Sequence, residues 1–176
     1  TRSVEHIFVI PEPVKRWDDL HPHLYRLEVS VREGKQTDHE TVEFGFRNIS
    51  TSPSKILVNG RPVFMRGNLD CLHFPLTGYP SCEVEEWERI FRIYKAYGLN
   101  QVRFHSWCPP DAAFTAADRV GIYIQAEVLW IDWWMSVINP NRPEMTTRGL
   151  PKGLGYNASA DKFVPAELRR MLDAYG

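Results

Sequence analysis

Two kinds of hydrophobic spacing divide this chain. Up to about residue 58 the apolar positions tend to recur every second residue; beyond it they recur every third or fourth. Residues 24–32 set Leu24, Leu27, Val29 and Val31 against Arg26, Glu28, Ser30 and Arg32, and residues 41–47 put Val42, Phe44 and Phe46 on one face. That alternation predicts antiparallel strands with one face on a core and the other in water. A shorter apolar run, residues 6–10, is stopped by Pro11 and Pro13 and also reads as β structure. The charged stretch 33–40, with Gly34, reads as a hairpin loop. Ile56-Leu57-Val58, Asn59-Gly60 and residues 62–65 form a second hairpin, since Asn-Gly supplies the positive φ angles of a type I′ turn.

Beyond the hairpin the spacing becomes helical. Ser81 is a candidate cap for a helix whose first turn holds Glu83, Glu85 and Glu86, favourable at the positive end of the helix dipole. Trp87, Ile90, Phe91, Tyr94 and Tyr97 form one apolar stripe, and Gly98 is placed to end the helix. Residues 101–104 read as a strand, Pro109-Pro110-Asp111 opens a helix near 110–120, and Gly121 closes it. A second strand over 122–126 leads to Glu127. A β-α-β unit of this kind implies parallel strands, because antiparallel neighbours need only a tight turn. Residues 128–163 read as a long irregular segment rich in Trp, Pro, Asn and Gly, and Pro165 begins a last helix carrying Leu168, Met171, Leu172 and Tyr175. The class is α/β, with a β-rich part over residues 1–58 and a β-α-β-α-β-loop-α part over 59–176. Half an α/β layer leaves an open sheet edge, and self-association is one way to cover it.

Composition removes several function classes. The 176 residues carry a net charge of −1 with no long block of either sign, so nothing points to nucleic acid or to an anionic membrane. No apolar run approaches the roughly 20 residues of a membrane span, and no leader-like N-terminus is visible. Three cysteines, Cys71, Cys82 and Cys108, are an odd number without CxxC spacing and give no disulfide framework. Cys71 and His73 with His105 and Cys108 can be drawn as a zinc site, but buried thiols explain the cysteines more simply. No metal and no cofactor are expected.

The chemistry gathers at strand ends. Arg66 and Asp70 are read as following the first strand of the α/β part, Arg103 and His105 the second, and Glu127 the third. A site fed by several parallel strand ends is the mark of a (β/α)8 barrel. Arg103 can orient a carboxylate, His105 can donate to a substrate hydroxyl and Glu127 can accept from one. Equally, Arg103 can simply bridge buried carboxylates, and Glu127 can be the structural partner of such an arginine. Trp107, Trp130, Trp133 and Trp134 lie in or beside the loops, where aromatic faces stack on sugar rings or merely pack. Asn48-Ile49-Ser50 and Asn157-Ala158-Ser159 match the glycosylation pattern, a signal often met by chance. His21 and His23 form a loop pair with no assigned role.

Several ordered motifs then carry a family resemblance. Trp17, His21-Pro22-His23-Leu24-Tyr25-Arg26-Leu27 and Phe44-Gly45-Phe46-Arg47-Asn48-Ile49 resemble the closing strands of the immunoglobulin-like domain of glycoside hydrolase family 2. Leu57-Val58-Asn59-Gly60-Arg61-Pro62-Val63 and Met65-Arg66-Gly67 resemble that family's entry into its catalytic barrel. The pattern continues through Tyr97-Gly98-Leu99-Asn100, Val102-Arg103 and Asp118-Arg119-Val120-Gly121-Ile122 to Glu127, so it covers roughly residues 15–130. Members include β-galactosidases, β-glucuronidases and β-mannosidases. The resemblance implies part of an immunoglobulin-like β-sandwich followed by about three βα units of a (β/α)8 barrel.

It also implies a retaining exo-glycosidase acting on terminal β-glycosides, with two catalytic Glu carboxyls about 5–5.5 Å apart. In the family the acid/base Glu follows an Asn at the end of the fourth barrel strand and the nucleophile ends the seventh. The chain stops at Leu172-Asp173-Ala174-Tyr175-Gly176, in the helix before the fourth strand, so neither is expected within it and the chain alone is expected to be inactive. By position, Arg103 would support the nucleophile, Asp70 and His105 or Ser106 would line the sugar site, and Glu127 would end the third strand. His73 stands two places beyond Cys71, where the β-galactosidase-like pattern has a His. Phe104-His105-Ser106-Trp107 also departs from the commoner Ser-His-Tyr-Pro version. The implied partner is a carbohydrate; the compartment stays open, with the periplasm or exterior favoured. The rival reading is a non-catalytic carbohydrate-binding module that uses Trp130 and its neighbours.

Overall fold

The computed structural model describes residues 5–7, 9–10, 13–129 and 158–175, with the side chains of 158–160 left out. The chain divides into two compact units, one taking in the described residues up to Phe64 together with Asp118–Gly121, the other Met65–Ala117 and the described residues from Ile122 onward.

The first unit is all antiparallel. Strands β1 (Tyr25–Glu33) and β2 (Gln36–Phe44) pair from Tyr25↔Phe44 to Glu33↔Gln36. The expected loop over 33–40 is therefore mostly strand, and only Gly34 and Lys35 turn the chain. Gly34 at φ 61° permits that tight turn, and the charged residues that looked like loop are simply exposed strand positions. The predicted buried face is also absent. Val31 is 64% and Val42 45% exposed, because a two-stranded ribbon supplies no second layer to cover it. Burial begins at the base of the ribbon, where the ring of Tyr25 meets those of Phe44 and Phe46 at 6.1 and 5.3 Å between centroids. Trp17 is the buried anchor there. Its backbone N–H donates to Phe46 O at 2.9 Å and its indole N–H to Asp118 O at 2.7 Å.

Strands β3 (Ile49–Ser52), β4 (Lys55–Val58) and β5 (Arg61–Val63) complete this unit as an antiparallel sheet. Asn59 and Gly60 link β4 to β5 with φ of 53° and 79°, the two positive angles a type I′ turn requires. The Asn59 side chain does more than turn. It accepts from Asn48 N and donates to Trp17 O, both at 3.0 Å, so one residue ties the turn to the anchor. The described residues among 6–10 lie in no strand.

The second unit holds a parallel sheet in the order β6 (Gly67–Asp70), β7 (Gln101–Phe104), β8 (Tyr123–Gln125). Helix α1 (Val84–Ala96) connects β6 to β7, α2 (Asp111–Val120) connects β7 to β8, and α3 (Ala158–Tyr175) lies later in the chain. The apolar stripe of α1 buries Trp87 and Phe91, with Phe104 from β7 edge-on to Trp87 at 5.8 Å. Tyr97, at the end of that stripe, is exposed. Gly98 ends α1 at φ 77°; its N–H donates to Lys95 O and the N–H of Leu99 to Tyr94 O, the paired bonds of a Schellman cap. Buried Asn100 then sets the strand starts. Its Oδ1 accepts from Arg66 N at 2.8 Å, its N–H donates to Arg66 O, and its carbonyl accepts from Tyr123 N.

Three sequence expectations change here. Ser81 does not cap α1; Glu83 is the N-cap and has no side-chain bond, while Ser81 Oγ accepts from Glu83 N and its carbonyl from the Trp87 indole. Pro165 lies inside α3 rather than at its start, and the helix reaches back to Ala158. A proline removes one helical hydrogen bond, and α3 continues on both sides of that loss. Cys71 and Cys82 are exposed and only Cys108 is half-buried, so two of the three thiols are not core residues. Among the described residues no helix is long and apolar enough to cross a membrane.

Candidate functional site

The C-terminal ends of β6, β7 and β8 bring Asp70, Arg103, His105, Ser106 and Glu127 together within the second unit. Parallel register does the first part of this, since Asp70 pairs with Phe104 and Arg103 with Gln125. The turn after β7 is then tied on both sides. Toward β6, His105 N donates to Asp70 O at 2.8 Å and the Trp107 indole to the same carbonyl at 3.4 Å. Toward β8, Ser106 N donates to Glu127 Oε2 at 2.7 Å and Glu127 N to Trp107 O at 3.2 Å. Arg103 Nε donates to the other carboxylate oxygen of Glu127 at 2.5 Å. Ser106 Oγ and His105 Nδ1 share a hydrogen bond of 3.0 Å.

These contacts decide which side chains can do chemistry. Burial pushes the Glu127 carboxyl up, but the hydrogen bonds from Arg103 and Ser106 N and the charges of Arg103 and His105 outweigh it. The net result lies below the usual carboxylate range, with both oxygens engaged, so Glu127 is a poor proton donor. Arg103 is bound to Glu127 through Nε and its side chain is 43% exposed, which leaves its terminal nitrogens within reach of a ligand. Asp70 Oδ1 accepts from Leu72 N at 2.8 Å and so shapes the turn after β6.

Not every candidate joins this group. Arg66 precedes β6 instead of following a strand, because the first parallel strand is Gly67–Asp70; it bonds Gly98 O at the opposite end of the sheet. His73 is exposed and takes no part in the bonded set. Trp107 is buried, with Phe104 and Phe74 edge-on to its ring at 4.9 and 6.0 Å, so it packs here. Trp130, Trp133 and Trp134 lie outside the described residues, as does Asn157 of the second glycosylation pattern. Among the described residues no group of three His, Cys, Asp or Glu is placed to hold a metal ion. Ser106 carries no motif of its own in the sequence and was reachable there only by resemblance; Leu72 carried no signal at all.

Known proteins resemble parts of this chain. Residues 1–47 match the family model for glycosyl hydrolases family 2. The β-galactosidase of Vibrio vulnificus is 30% identical over 112 residues, which is 62% of this chain and 11% of that enzyme. The crystal structure of Parabacteroides merdae β-glucuronidase superposes with a TM-score of 0.60 at 26% identity, covering 69% of this chain and 15% of that one. The chain is related to family 2 glycosyl hydrolases and covers a part of them. The β-glucuronidase of Ruminococcus gnavus in complex with D-glucaro 1,5-lactone is also similar, at 25% identity and a TM-score of 0.57 over 65% of this chain and 20% of that one. The chain spans about 11% of the length of the curated relatives it matches. Its mixed architecture, antiparallel sheets followed by a parallel one, is similar to part of those enzymes.

Proposed function

We propose that the strand ends of the second unit are the supporting wall of a sugar pocket in a retaining exo-glycosidase that acts on terminal β-glycosides. The second unit is read as the opening βα units of a (β/α)8 barrel, and the first as strands of an immunoglobulin-like domain. The carrying observation is the bonded set Arg103–Glu127–Ser106–His105 past the ends of adjacent parallel strands. In parallel α/β architectures that end is where ligands bind. Arg103 keeps terminal donors for an anionic group, either the nucleophile carboxylate or an acidic sugar substituent. His105, Ser106 and Asp70 offer polar atoms suited to sugar hydroxyls. Glu127, doubly bonded and held ionised, supports Arg103 and takes no part as acid or nucleophile. Those two roles fall to carboxylates outside the described residues.

The test compares the chain alone with a full-length protein that contains it, on nitrophenyl β-galactoside and β-glucuronide. The full-length protein is expected to turn over one of them, and Arg103→Ala to lower its kcat/KM by about 10²–10³. The 176-residue chain is expected to show none. Turnover by the chain alone, abolished by Glu127→Gln, would overturn this assignment of roles. Saturable quenching of tryptophan fluorescence by simple sugars, without turnover in either protein, would favour a binding module.

A further inference from the structure

Three non-glycine residues of the described chain have a left-handed backbone: Asn59 in its hairpin turn, Leu72 at φ 61° and Ser106 at φ 66°. Leu72 and Ser106 follow the ends of the neighbouring strands β6 and β7. In both, the N–H of the left-handed residue donates to a carboxylate, Leu72 to Asp70 and Ser106 to Glu127. The Asp70 bond is local, of the kind an Asx turn makes for itself. The Glu127 bond is not, because its acceptor arrives from 21 residues further along the chain. Left-handed serine is unfavourable by itself and persists where the surroundings hold it.

We propose that Glu127 is a positioning residue, whose carboxylate holds Ser106 in its left-handed conformation and so fixes the His105–Ser106 pair at the end of β7. Arg103 anchors one carboxylate oxygen, which aims the other at Ser106 N. The backbone N–H of Glu127 grips Trp107 O, so the turn is held at two points by one residue. Ser106, oriented in this way, shares its hydroxyl with His105 Nδ1. The inference rests on the sugar-pocket reading only for what those side chains would meet; the clamp itself is tested without a ligand.

The experiment uses the labelled full chain and three variants, Glu127→Gln, Ser106→Gly and the two combined. Amide–α coupling and the Cα and Cβ shifts of Ser106 report its φ by NMR, and denaturation reports stability. Glu127→Gln is expected to erase the left-handed signature of Ser106 and to shift the unfolding equilibrium by about tenfold, the scale of one charge-assisted hydrogen bond. In the Ser106→Gly background the same change is expected to shift it by less than about threefold, because glycine takes this φ without help. An unchanged Ser106 signature, or an equal shift in both backgrounds, overturns the proposal. If Glu127→Gln does not fold, the unmodified chain still decides: on acidification the Ser106 amide shift must follow protonation of the Glu127 carboxyl, and independent movement of the two overturns it.

Discussion

Arg103 and Glu127 stand 24 residues apart in the chain and join through Nε and Oε1 at 2.5 Å, because β7 and β8 run parallel and in register. The two partners are not equally dependent on each other. Arg103 is the more exposed, and its remaining donors can turn to water; Glu127 is 24% exposed and also serves Ser106 N. Glu127→Ala is therefore expected to cost about 1–3 kcal/mol, since it strips partners from two donors. Arg103→Ala is expected to cost about 1 kcal/mol or less, as for a partly exposed ion pair. Urea denaturation of both variants checks the order, and a larger loss for Arg103→Ala would contradict it.

The same carboxylate makes stability depend on pH in a definite direction. The folded pKa of Glu127 is depressed below its unfolded value of about 4.3. Its contribution is thus fully present above the unfolded pKa and is lost as pH falls through the lower folded one. The groups that face it, Arg103 and His105, both favour the ionised form. Denaturation midpoints taken from neutral to acid pH should show the gap between the unmodified chain and Glu127→Gln closing as the pH drops. A gap that stays constant would mean that the carboxylate charge is not what matters.

Gly121 offers a test outside the strand ends. It sits at φ 83° after α2, and a Cβ there would lie 2.6 Å from Asp19 O, a backbone atom that cannot swing aside. Gly121→Ala meets both obstacles together, the left-handed angle and the close contact. The expected loss is about 2 kcal/mol or more, read by thermal denaturation. Gly98→Ala, at a similar φ with open space around it, should cost only about 1 kcal/mol. Equal losses would show that the contact with Asp19 contributes nothing.

What could be read from sequence was what local chemistry decides. Strand 101–104, the Asn59-Gly60 turn, the stop at Gly98 and the helix opened by Pro109-Pro110-Asp111 each rest on signals within a few residues, and all are present. What could not be read depended on partners distant along the chain. Val31 and Val42 alternate like a buried face, yet nothing in a two-stranded ribbon covers them. Arg66 seemed to follow a strand until pairing with β7 placed the strand after it. Ser81 and Pro165 carry good helix-start chemistry, but the hydroxyl of Ser81 turns to Glu83 N and the helix runs through Pro165. At the site, parallel strand ends predicted that Arg103, His105 and Glu127 would meet. The clamp on Ser106 stayed hidden, because a left-handed serine leaves no mark in composition or spacing.

Tyr175 closes the second unit by a contact that separates stacking from hydrogen bonding. Its ring lies on Phe114 of α2 with centroids 3.7 Å apart and planes 4° from parallel, while its hydroxyl donates to Asp111 Oδ1. Burial, then the Asp111 hydrogen bond and the Asp111 charge, push the phenol up to about 12. The raised value favours the neutral phenol in the folded chain. Its stabilising effect is present below the unfolded pKa of about 10 and is lost as pH rises toward the folded one. Tyr175→Phe keeps the stack and removes the hydrogen bond, so it should cost about 1 kcal/mol and delete a phenol whose ionisation is delayed to about 12 in an ultraviolet titration. Tyr175→Ala loses both contacts and should cost about 1 kcal/mol more, within the range for an aromatic pair. If the two variants unfold at the same denaturant concentration, the stacked ring contributes nothing to stability.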